Sequence, residues 1–260
     1  SYELNKRVIQ MKKVFKWIGG LLVGLIGILV MAGLLGYIAS ERRLNRDYDI
    51  AVEPITIPTD EASVEEGRRQ TTIRGCAASD CHGSDFGGGI LLDDPLIGHI
   101  YGPNLTSGEG SATAGYSTED WVRSIRHGVD PEGRALIIMP SSSFMNLSDE
   151  DLGRIIAYIQ SLPPVDHRQN ESRLGPVGYA LLLSDQAPLP ILSAEVIDHS
   201  ITPPRRVVPE ASADFGKYVI TVCMDCHRKD LSGGPIPGSL PGEPPAANLT
   251  PGGNLAHWTY

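Results

Sequence analysis

The chain has 260 residues and a formal net charge of −9, and an acidic surplus of this kind excludes nucleic acid as the main partner, because neutralising phosphates needs clustered Lys and Arg. Hydrophobic residues make up 41%, enough to pack cores, but aromatics reach only 6% beside 29 Gly and 20 Pro. That balance favours short helices and many loops over extensive sheet.

In chain order, the first feature is an uncharged apolar run over 17–39 (WIGGLLVGLIGILVMAGLLGYIA), long enough to cross a bilayer as a helix. Lys6, Arg7, Lys12, Lys13 and Lys16 precede it against a single Glu3, whereas Arg42, Arg43 and Arg46 behind it are mixed with Glu41, Asp47 and Asp49. The positive-inside bias then puts residues 1–16 in the cytoplasm. A retained single-pass anchor is expected rather than a cleaved leader, since the run is long for a signal peptide and no small-x-small cleavage site follows it. Residues 40–58 read as a stalk, polar and then punctuated by Pro54 and Pro58, which favours an extended chain.

A first module is expected over 59–165. Ser63 with Glu66 forms a capping-box pattern for a helix that ends near Gly75, and Gly67 would let another helix cross closely. Ser117 with Asp120 opens a second helix, closed by Gly128. The strongest helical pattern covers 149–161, capped by Ser148 and Asp151, with Leu152, Ile155, Ile156 and Ile159 on one face and Pro163 and Pro164 as a stop. Residues 166–209 read as a Pro-rich linker with one apolar piece at 177–183 that is expected to lie against one or both modules. Residues 210–260 then repeat the first module: Glu66-Gly67-Arg68 is echoed by Phe215-Gly216-Lys217, and Asn104-Leu105-Thr106, 22 residues after His82, by Asn248-Leu249-Thr250, 21 residues after His227.

All four cysteines fall in two pairs, each followed at once by histidine: Cys76-Ala-Ala-Ser-Asp-Cys81-His82 and Cys223-Met-Asp-Cys226-His227. The second is the C-x-x-C-H signature of covalent c-type haem attachment, in which two thiols add across the haem vinyls and the adjoining histidine becomes the proximal iron ligand. The first is a variant with four intervening residues, which needs a looser turn. A zinc site and disulfides are the competing readings, although the two pairs lie far apart and neither module alone has compact four-ligand spacing. Met139, 57 residues after His82, is the candidate sixth ligand of the first iron; Met145 is the runner-up, and His99 or His127 would give a bis-histidine site.

On these residues the chain resembles the class I cytochrome c superfamily. It is similar in particular to two-module bacterial members that serve as cytochrome subunits of membrane-bound dehydrogenases. The resemblance runs from the attachment motif through Gly102-Pro103-Asn104-Leu105 and Met139-Pro140 to Leu147–Leu152, Ala157–Ile159 and Ser161–Pro164, covering residues 60–165 well and 212–260 in part. It implies an all-α fold, an N-terminal transmembrane helix followed by two cytochrome modules. It also implies two covalent haems bound through Cys76, Cys81, Cys223 and Cys226, with His82, Met139 and His227 on iron. The Pro103 carbonyl is expected to orient His82, with Ala247 in the matching place. The second module reaches Tyr260 before a methionine loop or final helix, so its distal ligand is expected beyond the given sequence.

The resulting expectation is an electron carrier, not itself an enzyme, held on the bacterial inner membrane with its modules on the periplasmic side. Its partners would be redox proteins, within a larger respiratory or photosynthetic complex or free. A dihaem peroxidase and a haem-based sensor subunit are the alternatives. No nucleotide-binding fingerprint is present.

Overall fold

The computed structural model describes residues 2–237, 239 and 242–258, and the chain divides into two compact units, residues 1–43 and 44–260. The first is helix α1 (Tyr2–Leu44). Residues Gln10–Leu44 within it include an 18-residue stretch of mean hydropathy 2.6, and the helix is long and apolar enough to cross a membrane. Its apolar side chains, Leu21 and Val23 among them, stand exposed. The side chains of Lys6 and Arg7, two of the basic residues ahead of the apolar run, lie outside the described residues, as does Tyr260.

In the second unit, helix α2 (Glu61–Ile73) starts one turn earlier than the Ser63 pattern suggests: the N-cap is Asp60, whose carboxylate accepts the Ser63 amide at 3.0 Å. Helix α3 (Thr118–Val122) carries the expected capping box between Ser117 and Asp120. It continues into a π-helical turn, Arg123–His127, which Gly128 closes in the left-handed region. Helix α4 (Asp149–Ser161) begins as read, with the Ser148 hydroxyl accepting the Asp151 amide. Helices α2 and α4 cross at Gly67, where a Cβ would sit 2.0 Å from the Arg154 carbonyl oxygen and 2.9 Å from the Tyr158 Cβ. Leu152, Ile155, Ile156 and Ile159 of α4 close over Phe86, Trp121, Val122, Ile125, Phe144 and Leu147 to form one apolar core.

The unit is helix-rich but not all-α. Strands β1 (Gly89–Asp94), β2 (Gly98–Gly102) and β3 (Arg173–Leu174) form an antiparallel sheet in that order. The hairpin closes on Asp94, whose carboxylate accepts the amides of Leu96 and Ile97, both at 2.8 Å. The segment 166–208 packs rather than trails. It supplies β3, helix α5 (Pro176–Ser184) and much of a second apolar cluster in which Leu174, Leu182, Ile191 and Leu192 meet Ile100, Val129 and Ala135. Helices α6 (Ala213–Ile220) and α7 (Met224–His227) follow, joined by a single 3-10 turn.

Candidate functional site

Both cysteine-histidine motifs open onto the same loop. After the first, Gly88 N donates to His82 O at 2.9 Å and Leu105 N to Phe86 O at 2.8 Å; after the second, Gly233 N donates to His227 O at 3.1 Å and Leu249 N to Leu231 O at 2.8 Å. Phe86 and Leu231 hold matching left-handed conformations, φ 59° and 60°, which non-glycine residues rarely adopt. Asn104 Oδ1 accepts from the amide and hydroxyl of Thr106, and Asn248 Oδ1 does the same with Thr250. The Thr hydroxyls in turn accept the amides of Gly108 and Gly252.

This wiring places a carbonyl on each histidine. His82 Nδ1 lies 3.0 Å from Pro103 O, and His227 Nδ1 lies 2.7 Å from Ala247 O. A carbonyl can only accept, so each Nδ1 carries a proton, and in the neutral ring Nε2 keeps its lone pair. Burial pushes the His82 pKa down, against the pull of the Pro103 bond, which keeps the ring neutral. A neutral imidazole fixed through Nδ1 with Nε2 free is the state that ligates iron.

The thiols fit covalent attachment better than zinc. Burial pushes Cys76 up to about 11 and also raises Cys81. All four cysteines are free, and among the described residues no three of His, Cys, Asp and Glu gather into a metal site.

The longer first motif is held by a device that the motif itself does not announce. A Cβ on Gly102 would lie 1.4 Å from Cys81 O, and one on Gly89 2.6 Å from it. The first residue of β1 and the last of β2 thus press their bare backbones onto the attachment turn. The glycines that bracket the segment 89–102 were the available signal.

Met139 packs against the same core as Cys76, Ala77 and Leu105. Its carbonyl accepts from Ser193 Oγ at 2.6 Å and from the Ser141 amide at 2.8 Å, just after the left-handed Ile138 at φ 61°. Met145 is half-buried and is not among the side chains packed on that core. His99 pairs with Asp93, and His127 faces His199 with their Nδ1 atoms 2.9 Å apart, so both histidines have other partners.

Residues 62–159 match the family model described as cytochrome c oxidase, cbb3-type, subunit III. Residues 62–159 are a cytochrome c domain. The chain is also 29% identical over 127 residues to the fructose dehydrogenase cytochrome subunit of Gluconobacter japonicus, covering 47% of this chain and 26% of that protein. It is 33% identical over 118 residues to the gluconate 2-dehydrogenase cytochrome c subunit of Pantoea cypripedii, covering 43% and 26%. A diheme cytochrome c-type protein of Cereibacter sphaeroides is 24% identical over 229 residues, 77% of this chain and 73% of the relative. The chain therefore spans only about a quarter of the length of the two dehydrogenase subunits. The cytochrome domain holds Cys76, Cys81, His82, Pro103 and Met139, while Cys223, Cys226 and His227 lie outside the matched stretch.

Proposed function

We propose that the chain is a membrane-anchored electron carrier with two covalent haems, working as the cytochrome subunit of a membrane-bound dehydrogenase rather than as the enzyme. The observation that carries it is the doubled histidine geometry: a cysteine pair, an imidazole held through Nδ1 by a backbone carbonyl, and the same loop behind it, once at His82 and once at His227. The haem supplies reversible one-electron exchange. The chain's own residues do the rest. Cys76 with Cys81 and Cys223 with Cys226 would anchor the haems through their thiols, His82 and His227 would ligate the irons, and Met139 would be the second protein ligand at the first site, where a thioether would raise the potential.

Two further points complete the reading. The α1 helix is the anchor, with the second unit on the periplasmic side of the inner membrane, as the basic residues before the apolar run suggest. The relatives' names support a dehydrogenase as electron donor.

The test is a haem count by alkaline pyridine spectrum and intact mass, with a redox titration of the full chain. Two haem equivalents and two one-electron waves are expected. His82→Ala and His227→Ala should each remove one low-spin signal and leave the other. Two waves that both persist in either variant would overturn the assignment. Rapid carbon monoxide binding at the first haem would overturn Met139.

A further inference from the structure

The N-terminus of α4 is covered from the second half of the chain. The amides of Asp149 and Glu150 donate to the carbonyls of Pro204 and Arg205 at 3.0 and 3.1 Å, and Arg206 pairs with Glu150 at 3.0 Å. At the same spot the hydroxyl of Tyr218 accepts the Ser148 amide at 3.1 Å and donates to Asp151 Oδ2 at 2.6 Å. Helix termini leave amides to be satisfied by some partner. Here the carbonyls and the phenol come from elsewhere in the chain.

Tyr218 is set apart by where it sits. It lies on α6, which has no fully buried residue, five positions before Cys223. The cap it reaches belongs to α4, the helix that crosses α2 just ahead of Cys76. Asp151, its acceptor, is 7% exposed, and the Asp151 Oδ1 atom is taken by Arg154 at 3.1 Å. Arg74, two residues before Cys76, has its pKa lowered by burial and raised in part by nearby Tyr218 and Asp151. One hydroxyl thus ties α6, which leads into the second attachment motif, to α4, the helix packed across the α2 that leads into the first.

We propose that Tyr218 is the positioning residue for electron transfer between the two sites: its hydroxyl, latched on the α4 cap, fixes the second attachment helix in distance and orientation from the first. The proposal rests on the two-haem reading above. A hydrogen bond to a carboxylate is among the stronger ones, and its loss leaves Asp151 Oδ2 and the Ser148 amide without their partner.

The experiment compares the full chain, matured with haem, with Tyr218→Phe, Tyr218→Leu and the neighbouring Lys217→Ala. Haem content comes first, then hydrogen exchange at the amides of Ser148, Asp149 and Glu150, then the rate of electron equilibration between the haems after flash reduction. Tyr218→Phe should keep both haems and raise exchange at Ser148 roughly tenfold, with Ile155 and Ile156 unchanged. It should also slow equilibration several-fold while both midpoint potentials hold, Tyr218→Leu should slow it further, and Lys217→Ala should match the parent. Two haems with an unchanged equilibration rate in Tyr218→Phe would overturn the latch alone, whatever the exchange shows. A parent chain holding a single haem would overturn the two-haem reading and the latch with it.

Discussion

At His82 the attachment loop is enclosed, with the ring 8% exposed and Asn104 fully buried; at His227 the same loop stands half-exposed and none of α6 or α7 is buried. The backbone bonds correspond one for one, yet the packing does not. Gly67 is pressed on the Arg154 carbonyl, whereas a Cβ at the equivalent Gly216 would meet nothing within 4 Å. Asn104 Nδ2 donates to Val165 O at 2.8 Å and His167 O at 3.0 Å, carbonyls supplied by the chain just after α4. The wiring of the histidine is therefore local, written in some thirty residues on the order of one supersecondary unit, while its burial depends on helices and segments remote in sequence.

The comparison breaks most sharply at the β hairpin. Gly102→Ala would drive a Cβ into the Cys81 carbonyl, a backbone clash that no rotamer relieves. It should abolish haem uptake at the first site and leave the second loaded, which a pyridine spectrum and mass measurement on the purified variant would show. Full loading of both sites would mean that the hairpin does not support the six-residue turn.

Next in size are the paired helix glycines. Gly67→Ala forces α2 away from α4 and should cost about 3 kcal/mol or more in denaturant unfolding. Gly216→Ala should instead stabilise by roughly 0.5–1 kcal/mol, since an open helical face gains from alanine. An equal cost at both positions would show that the Gly216 face is covered in the working protein. The asparagines repeat the contrast on a smaller scale. Asn104→Ala should lose about 2–3 kcal/mol, because it removes four hydrogen bonds in a buried site, two to the Val165 and His167 carbonyls and two from Thr106. Asn248→Ala, with only the Thr250 bonds to lose, should cost about 1 kcal/mol by the same measurement.

Much of this was legible because it is local. The cap at Ser148 and the Leu152-Ile155-Ile156-Ile159 face follow from neighbouring residues, whereas the partner of Gly67 on the last helix and the Pro103 and Ala247 carbonyls were expected from the cytochrome c resemblance. The cap of α2 was misplaced by one turn because Asp60 and Ser63 are both good cap residues, and only the fold decides which one accepts and which one donates. The sheet was missed for a different reason. Residues 89–102 are Gly-rich and interrupted by Asp and Pro, and β3 is two residues long, so no period-two signal reaches the length that marks a strand. The packing of 166–208 was legible only at its apolar piece, 177–183, since a second apolar cluster assembled from Leu44, Ile100, Val129, Leu182 and Leu192 has no sequence period at all. Tyr218 gave no cue because its partners lie about seventy residues away.

A last contrast is a titration that belongs to the first region. His199 Nε2 lies 2.9 Å from Ala194 O, so it donates there, its Nδ1 accepts, and the His127 Nδ1–H is the donor across their 2.9 Å contact. Burial first, then His199, Arg126 and Arg123, push the His127 pKa from 6.5 to about 4. Between those values the unfolded chain takes up a proton that the folded chain refuses, so stability is full above about pH 6.5 and falls as the pH drops toward 4. Thermal unfolding followed across that window should show the melting temperature declining on acidification, and His127→Gln, which keeps a donor toward His199 and cannot titrate, should flatten the decline. An unchanged slope would place the acid sensitivity in other groups and remove the histidine pair from what distinguishes the enclosed region from the open one.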